Sequence, residues 1–171
     1  MRAFDLVQRI REHSPRAANL LLDLAIPRII PLAGGLKVRV RSWSPVECQL
    51  EMPLTRRTRN HLGTMYFGAQ MTLADLAVGI LLFLQFPPGP YAGVIKRAEV
   101  DFRAKAKGVI RCIARCPDEA RAELEAVRTS SSGKAEAWIP LELLDESGRV
   151  VTEGRFLTAI KRFGPAGGPS Q

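Results

Sequence analysis

Phe67-Gly-Ala-Gln-Met-Thr-Leu-Ala-Asp-Leu-Ala-Val-Gly-Ile-Leu-Leu-Phe-Leu-Gln85 is the stretch on which the reading of this chain turns. Its residues predict one long helix. Phe86-Pro87-Pro88-Gly89-Pro90 stops it, because proline cannot continue a helix and biases the preceding residue away from helical angles. From His61 to Ile95 the only formal charge is Asp75. A helix apolar nearly all round either spans a membrane or lies in a protein core. The stretch nearly reaches the roughly 20 residues that a bilayer requires. Asp75 at its centre, with Gln70 and Thr72 close by, makes a span expensive. The flanking segments alternate as the strands of a sheet do. The expectation is a core helix and no membrane span.

A core helix makes Asp75 the anomaly. A lone buried carboxylate is costly unless paired or hydrogen-bonded, and no Lys or Arg lies within helical reach of it. Burial raises a carboxyl pKa, which is how proteins prepare an acid or base. Gly68, Thr72, Asp75 and Gly79 are spaced by 4, 3 and 4 residues and share one helix face. That face is small and polar, so it leaves room for something to lie along it. The alternative is a helix packed tightly through its glycines, with Asp75 hydrogen-bonded to nearby backbone.

Outward from the helix the period changes. Lys37–Ser42 and Glu47–Leu54 alternate polar and apolar residues around Ser44-Pro45, which predicts a hairpin. Residues 93–107 predict a strand, with Ala98, Val100, Phe102, Ala104 and Ala106 against Arg97, Glu99, Asp101, Arg103, Lys105 and Lys107. Val109–Arg115, Lys134–Leu144 and Arg149–Lys161 predict three more strands. Pro117-Asp118-Glu119 opens a short helix to Arg128. Residues 3–24 have helical spacing with a break after Ser14, and Pro27–Gly35 reads as a turn region. The class is α+β: an antiparallel sheet of about six strands on one dominant helix. Residues 1–30 are expected to form an N-terminal helical segment and 31–163 the main domain. Residues 164–171, rich in Gly and Pro, are expected to be a flexible tail.

The 171 residues hold 25 Lys and Arg against 17 Asp and Glu, a net charge of +8. The excess asks for an anion: nucleic acid, a membrane surface or a phosphate-bearing small molecule. It is uneven, because Lys96–Arg115 holds seven basic and two acidic residues. Arg97, Arg103, Lys105 and Lys107 share one strand face by parity, and phosphates favour such sites. The bland reading is a solvated face. The first residues carry Arg2, Asp5, Arg9 and Arg11 with no apolar run after them, so no secretory leader is expected. A cytoplasmic setting follows, with Cys48, Cys112 and Cys116 reduced. Three cysteines with His13 and His61 distant in sequence make no metal set, so no metal is expected.

A long helix wrapped by an antiparallel sheet, with an acid in mid-helix, resembles the hotdog fold. Small thioesterases of the PaaI-like branch carry an Asn, then a His-Gly-Gly at the helix start, then Leu-Ala-Asp or Leu-Ala-Glu. Here Asn60 precedes Asp75 by 15 within Leu73-Ala74-Asp75, and Tyr66-Phe67-Gly68 stand where His-Gly-Gly would. The texture is similar to uncharacterised relatives of that branch. Asp101–Gly108, Gly133–Ala135 and Asp145–Val151 resemble its later strands. The resemblance spans about residues 30–162.

What the resemblance implies is acyl-CoA thioester hydrolysis in a tunnel between two subunits of a homodimer or homotetramer. The carbonyl oxygen would meet the backbone N–H groups of Phe67 and Gly68. Asp75 of the other subunit would activate water or attack the carbonyl itself. Asn60 would orient the water or the carbonyl. Tyr66, Thr72 and Gly79 would lie against the substrate, and Arg97, Arg103 and Lys105 near the phosphates of coenzyme A. No cofactor is implied beyond coenzyme A as part of the substrate.

The replaced His-Gly-Gly keeps a second reading open, a non-catalytic acyl-CoA or lipid-binding module. A nucleic-acid binder is a third, but the basic strand has no interleaved aromatics and the chain has no recognisable binding motif. Other residues carry weaker signals. Arg56-Arg57-Thr58-Arg59 reads as a solvated loop or a phosphate contact. His61 reads as structural or as a base. Trp43 and Trp138 read as core or interface. No Gly-x-Ser-x-Gly elbow and no Gly-rich phosphate loop is present.

Overall fold

The computed structural model describes residues 9–163, so the expected tail and the first eight residues lie outside the described residues. Helix α1 (Pro15–Ile29) begins at Ser14, whose hydroxyl accepts from the Ala17 N–H at 3.4 Å. The break after Ser14 is therefore a helix cap. The turn expected from Pro27 is a correction: α1 runs through Pro27 to Ile29, and α2 (Pro31–Gly34) follows. Interior proline costs about 3 kcal/mol. Burial of Ala18, Leu22 and Ile26 along one face outweighs it, and the Ile30 N–H closes the last turn onto the Ile26 carbonyl at 2.8 Å.

Strands β1 (Arg39–Trp43) and β2 (Glu47–Pro53) form the expected hairpin. Ser44 makes its turn, its hydroxyl accepting from the Glu47 N–H at 3.0 Å. Helix α3 (Phe67–Gln85) has the expected bounds. Strand β3 (Tyr91–Phe102) is shorter than the alternation over 93–107 predicts. The Arg103 and Ala104 N–H groups both donate to the Val151 carbonyl, at 2.9 and 3.1 Å, which ends the ladder. The chain then leaves the sheet so that the Ala106 carbonyl can accept from Met65, at 2.8 Å. Strand β4 (Val109–Arg115), helix α4 (Asp118–Glu125) with a 3-10 turn (Ala126–Arg128), β5 (Lys134–Leu144) and β6 (Val150–Arg162) complete the chain.

The six strands pair antiparallel in the order β1-β2-β4-β5-β6-β3. This is the expected α+β sheet around a central helix, the hotdog arrangement. The connection from β2 to β3 must reach the far edge of the sheet, and α3 makes that crossing over β2, β4 and β5. Leu73, Ala74, Ala77, Val78 and Leu81 of α3 are sealed against Leu50, Met52, Ile110, Leu141 and Leu143 of the sheet. By length and composition alone α3 would pass for a membrane span. Here its apolar surface is the core of the fold. Cys48, Cys112 and Cys116 are buried thiols, and burial, helped by Glu47, pushes Cys48 up to about 12.

The outer sheet face carries cross-strand ion pairs. Arg115 meets Glu47 and Glu142, Arg155 meets Glu99, and Arg103 meets Glu153. Most of the basic excess over Lys96–Arg115 is thereby matched by acids from neighbouring strands. Glu51 is the most enclosed of these acids, held between Arg41 and Arg111. Burial alone would raise its carboxyl. Hydrogen bonds from Arg111 and Arg41 outweigh that and hold it below the usual glutamate range. A depressed folded-state pKa stabilises the fold above the unfolded pKa and loses that contribution as pH falls through the folded one. Glu51→Gln is expected to cost about 1–2 kcal/mol near pH 7, because both guanidinium groups remain half in solvent. In thermal melts the gap to the wild type should close below about pH 4.

Candidate active site

The loop before α3 is held by its own side chains. The buried Thr58 hydroxyl accepts from the Thr55 N–H at 2.7 Å and donates to the Pro53 carbonyl at 3.0 Å. Asn60 Oδ1 accepts from the N–H groups of Leu62 and Thr64, at 2.9 and 3.1 Å, and its Nδ2 donates to Thr64 Oγ1 at 2.9 Å. Tyr66 N–H then donates to the Thr58 carbonyl at 2.7 Å. From the buried side, Gln70 of α3 donates to the Met65 carbonyl at 3.2 Å and accepts from Thr152 at 2.6 Å. Together these bonds position the first turn of α3. Tyr66 is its N-cap residue but supplies no side-chain cap. The N–H groups of Phe67 and Gly68 consequently have no acceptor among the described residues. They are the free donors at the positive end of the α3 dipole.

The face shared by Gly68, Thr72, Asp75 and Gly79 is the one side of α3 that the sheet leaves uncovered. This corrects the expectation of a buried Asp75: in the single chain its carboxylate keeps access to solvent. Among the described residues no hydrogen bond or ion pair engages it. Apolar neighbours desolvate its inner side and push the carboxyl above the usual aspartate range. Thr72 donates to the Gly68 carbonyl at 2.8 Å, leaving its oxygen lone pairs to accept. A Cβ at Gly68 would meet the Tyr66 ring at 3.0 Å, so glycine lets that ring lie over the turn. A Cβ at Gly79 would meet nothing within 4 Å. Beside Gly79 and Asp75 an apolar cavity of about 280 Å³ opens between α1, α3 and β3.

Sequence and structure comparisons follow this geometry. Residues 19–160 match the family model described as a domain of unknown function, DUF4442. The chain belongs to the DUF4442 family. PA5026 from Pseudomonas aeruginosa, described as a protein of unknown function and probable thioesterase, is 33% identical to this DUF4442 chain. That match covers 84% of this chain and 95% of PA5026, with a TM-score of 0.73. A single-site mutant of thioesterase PA1618 from the same organism is 14% identical, covering 85% and 94% at TM-score 0.68. Thioesterase HI1161 from Haemophilus influenzae is 12% identical, covering 80% and 87% at TM-score 0.63. At such identity the last two bear on the fold alone, which is that of the hotdog thioesterases. No curated protein matches the chain significantly.

Within this DUF4442 fold the residues singled out from sequence fall into two groups. Tyr66, Phe67, Gly68, Thr72, Asp75 and Gly79 lie together on the open side of α3. Arg97, Arg103 and Lys105 do not form the expected strand face. Arg97 lies on β3, but Arg103, Lys105 and Lys107 follow the end of that strand at Phe102. Arg97 pairs with Glu99 at 3.1 Å and Arg103 with Glu153 at 2.6 Å, whereas Lys105 has no acid partner among the described residues. Arg56, Arg59 and His61, also without acid partners among the described residues, line a polar surface hollow with Asn60 beside the α3 start. Trp43 is buried, and Trp138 is half-buried beneath Arg155, 4.4 Å from its ring. Two features were not visible as site elements in the sequence. Phe102 packs edge-on against Phe67 at 5.7 Å and draws that side chain aside. Helix α1 supplies a wall of the cavity; its signal was the apolar spacing that continues past Leu24 to Ile26.

Proposed function

We propose that this protein hydrolyses acyl thioesters, with acyl-CoA as the substrate class. The single observation behind the reading is the partly desolvated Asp75 carboxylate, without a partner among the described residues, beside an apolar cavity and on the same helix as two unused N–H donors. Asp75 takes a proton from water as that water attacks the thioester carbon. The carbonyl oxygen gains negative charge and accepts from the Phe67 and Gly68 N–H groups. The C–S bond then breaks and the departing thiolate takes the proton from Asp75, leaving a carboxylic acid, a free thiol and Asp75 ionised again.

Asp75 sits two turns along α3 from those donors, about 11–12 Å by helix rise. One chain does not bring both to one carbonyl, so the site is read as shared between two copies. Among the described residues β6 is the only strand that pairs with β3, whose other edge faces no further strand, and natural sheets normally cover such an edge. A second copy on that edge makes the assembly a homodimer. Lys105, Arg56 and Arg59 offer unmatched positive charge for the phosphates of the carrier, while Arg97 and Arg103 would have to exchange an acid partner to take part.

Asn60 acts here as a positioning residue that holds the turn. Asn60→Asp keeps both N–H acceptors and loses one donor, so kcat is expected to fall less than about tenfold. Asn60→Ala loses all three bonds and should cost about a hundredfold with KM changing less. If Asn60→Asp is as damaged as Asn60→Ala, Asn60 touches the reacting groups instead. The test of the function itself is thiol release from a panel of acyl-CoAs at neutral pH. Turnover supports it. Tight binding without turnover of any member favours the non-catalytic acyl-CoA binder.

A further inference from the structure

The cavity beside Asp75 is unlike a packing defect. It measures about 280 Å³ and opens to solvent past the exposed Ile29, Phe83 and Val94, so it is a pocket that a ligand can enter rather than a void of the packed interior. Among the described residues Asp75 is the only ionisable one lining it. Gly79 floors it one turn further along α3, and the buried Phe86 and Ile160 lie at its deep end. Its outer wall is α1, through Leu22, Ala25 and Ile26.

That wall is pinned. Asn19 donates to the Arg41 carbonyl at 2.8 Å and accepts from the Trp43 indole N–H at 2.9 Å. Asp23 accepts from the Val40 N–H at 2.7 Å. Three bonds to β1 therefore hold one face of α1 while the adjoining face borders the cavity. An element outside the sheet-and-helix unit sets how much space the cavity has.

We infer that α1 is the specificity wall of the site, and that the cavity takes the hydrocarbon end of a medium-chain acyl group whose thioester lies at Asp75. An apolar cavity of about 150 Å³ accommodates the six carbons of benzene. By that measure about 280 Å³ suits a chain of roughly eight to twelve carbons. The apolar lining gives an acyl chain its driving force, and the carboxylate at one side gives the thioester its position. This inference rests on the thioesterase reading for the position of the thioester, but not for the binding of the chain.

The test compares butyryl-, decanoyl- and hexadecanoyl-CoA hydrolysis in the wild type, in Ala25→Trp and in the milder Ala25→Leu. Binding of the non-hydrolysable thioethers S-decyl-CoA and S-butyl-CoA is measured alongside by calorimetry. Wild-type kcat/KM is expected to peak at decanoyl-CoA. Both Ala25 variants should lower the decanoyl-to-butyryl ratio, Ala25→Trp by about tenfold or more. S-decyl-CoA affinity should fall by a similar factor relative to S-butyl-CoA. Leu20→Ser, on the outward side of α1, should leave the ratio unchanged.

Hydrolysis with a ratio that neither Ala25 variant moves overturns the inference and leaves the thioesterase reading standing. A preference for hexadecanoyl-CoA also overturns it. Chain-selective binding that Ala25→Trp weakens, without turnover, supports the wall and sinks the hydrolase. Absence of S-decyl-CoA binding overturns the inference outright.

Discussion

Asp75→Asn is expected to lower kcat/KM for acyl-CoA hydrolysis by about 10²–10⁴-fold, the range that a positioned general base contributes. The replacement keeps size and polarity but accepts no proton at neutral pH. The same residue sets the acid limb of the pH profile. Burial raises its carboxyl pKa, and only the ionised form acts as a base. Activity should therefore fall as pH drops through a value above the ordinary aspartate pKa of about 3.9. The sign for stability is opposite. A carboxyl raised in the folded state favours the protonated form, so its ionisation at neutral pH works against folding. Asp75→Asn should melt no lower than the wild type at pH 7, and the two should converge in acid. A variant that is inactive yet no less stable marks a residue kept for chemistry. If Asp75→Asn hydrolyses acyl-CoA at the wild-type rate, the proposed mechanism fails.

Phe67→Pro should lower kcat by about 10²–10³-fold, the cost of losing one oxyanion donor. Proline removes the N–H while suiting the first position of a helix. Tyr66 already has φ −64° and ψ 142°, the extended conformation that a residue before proline adopts. Helix α3 should therefore still form. Phe67→Leu keeps the N–H and loses only the ring contact with Phe102, so it should retain most of the activity. The variant also tests whether two copies share a site. Asp75→Asn and Phe67→Pro chains are each inactive alone. Refolded together at equal amounts, half the dimers are mixed, and each mixed dimer has one site with both groups intact. About a quarter of wild-type activity should return, as two-fold symmetry requires. No recovery despite demonstrated exchange of chains would place both groups in one subunit and refute the shared site.

The sequence by itself determined the elements whose signals are local. An uninterrupted apolar stretch closed by Pro87 and Pro88 gave α3 its bounds, and alternation gave the strands. The spacing of Gly68, Thr72, Asp75 and Gly79 put them on one face because helical period alone does that. Signals that depend on distant partners were read less well. The alternation ran on to Lys107, but β3 stops at Phe102, where two amides share the Val151 carbonyl and Ala106 is needed by the loop before α3. Pro27 looked like a breaker because the burial of Leu22 and Ile26 that carries α1 past it is a tertiary contact. The basic run after Ile95 looked like a free cationic strip, since no linear reading shows Glu153 beside Arg103 or Glu51 beside Arg111.

The placement of the site divides in the same way. Sequence selected Asp75 as the charge out of place and Phe67–Gly68 as the helix start. Only the fold decided that Asp75 faces outward beside a cavity, that Asn60 is spent on its own turn, and that α1 walls that cavity. Helix and strand periods are properties of consecutive residues, whereas a cavity is what remains between elements once the sheet order β1-β2-β4-β5-β6-β3 has brought distant segments together.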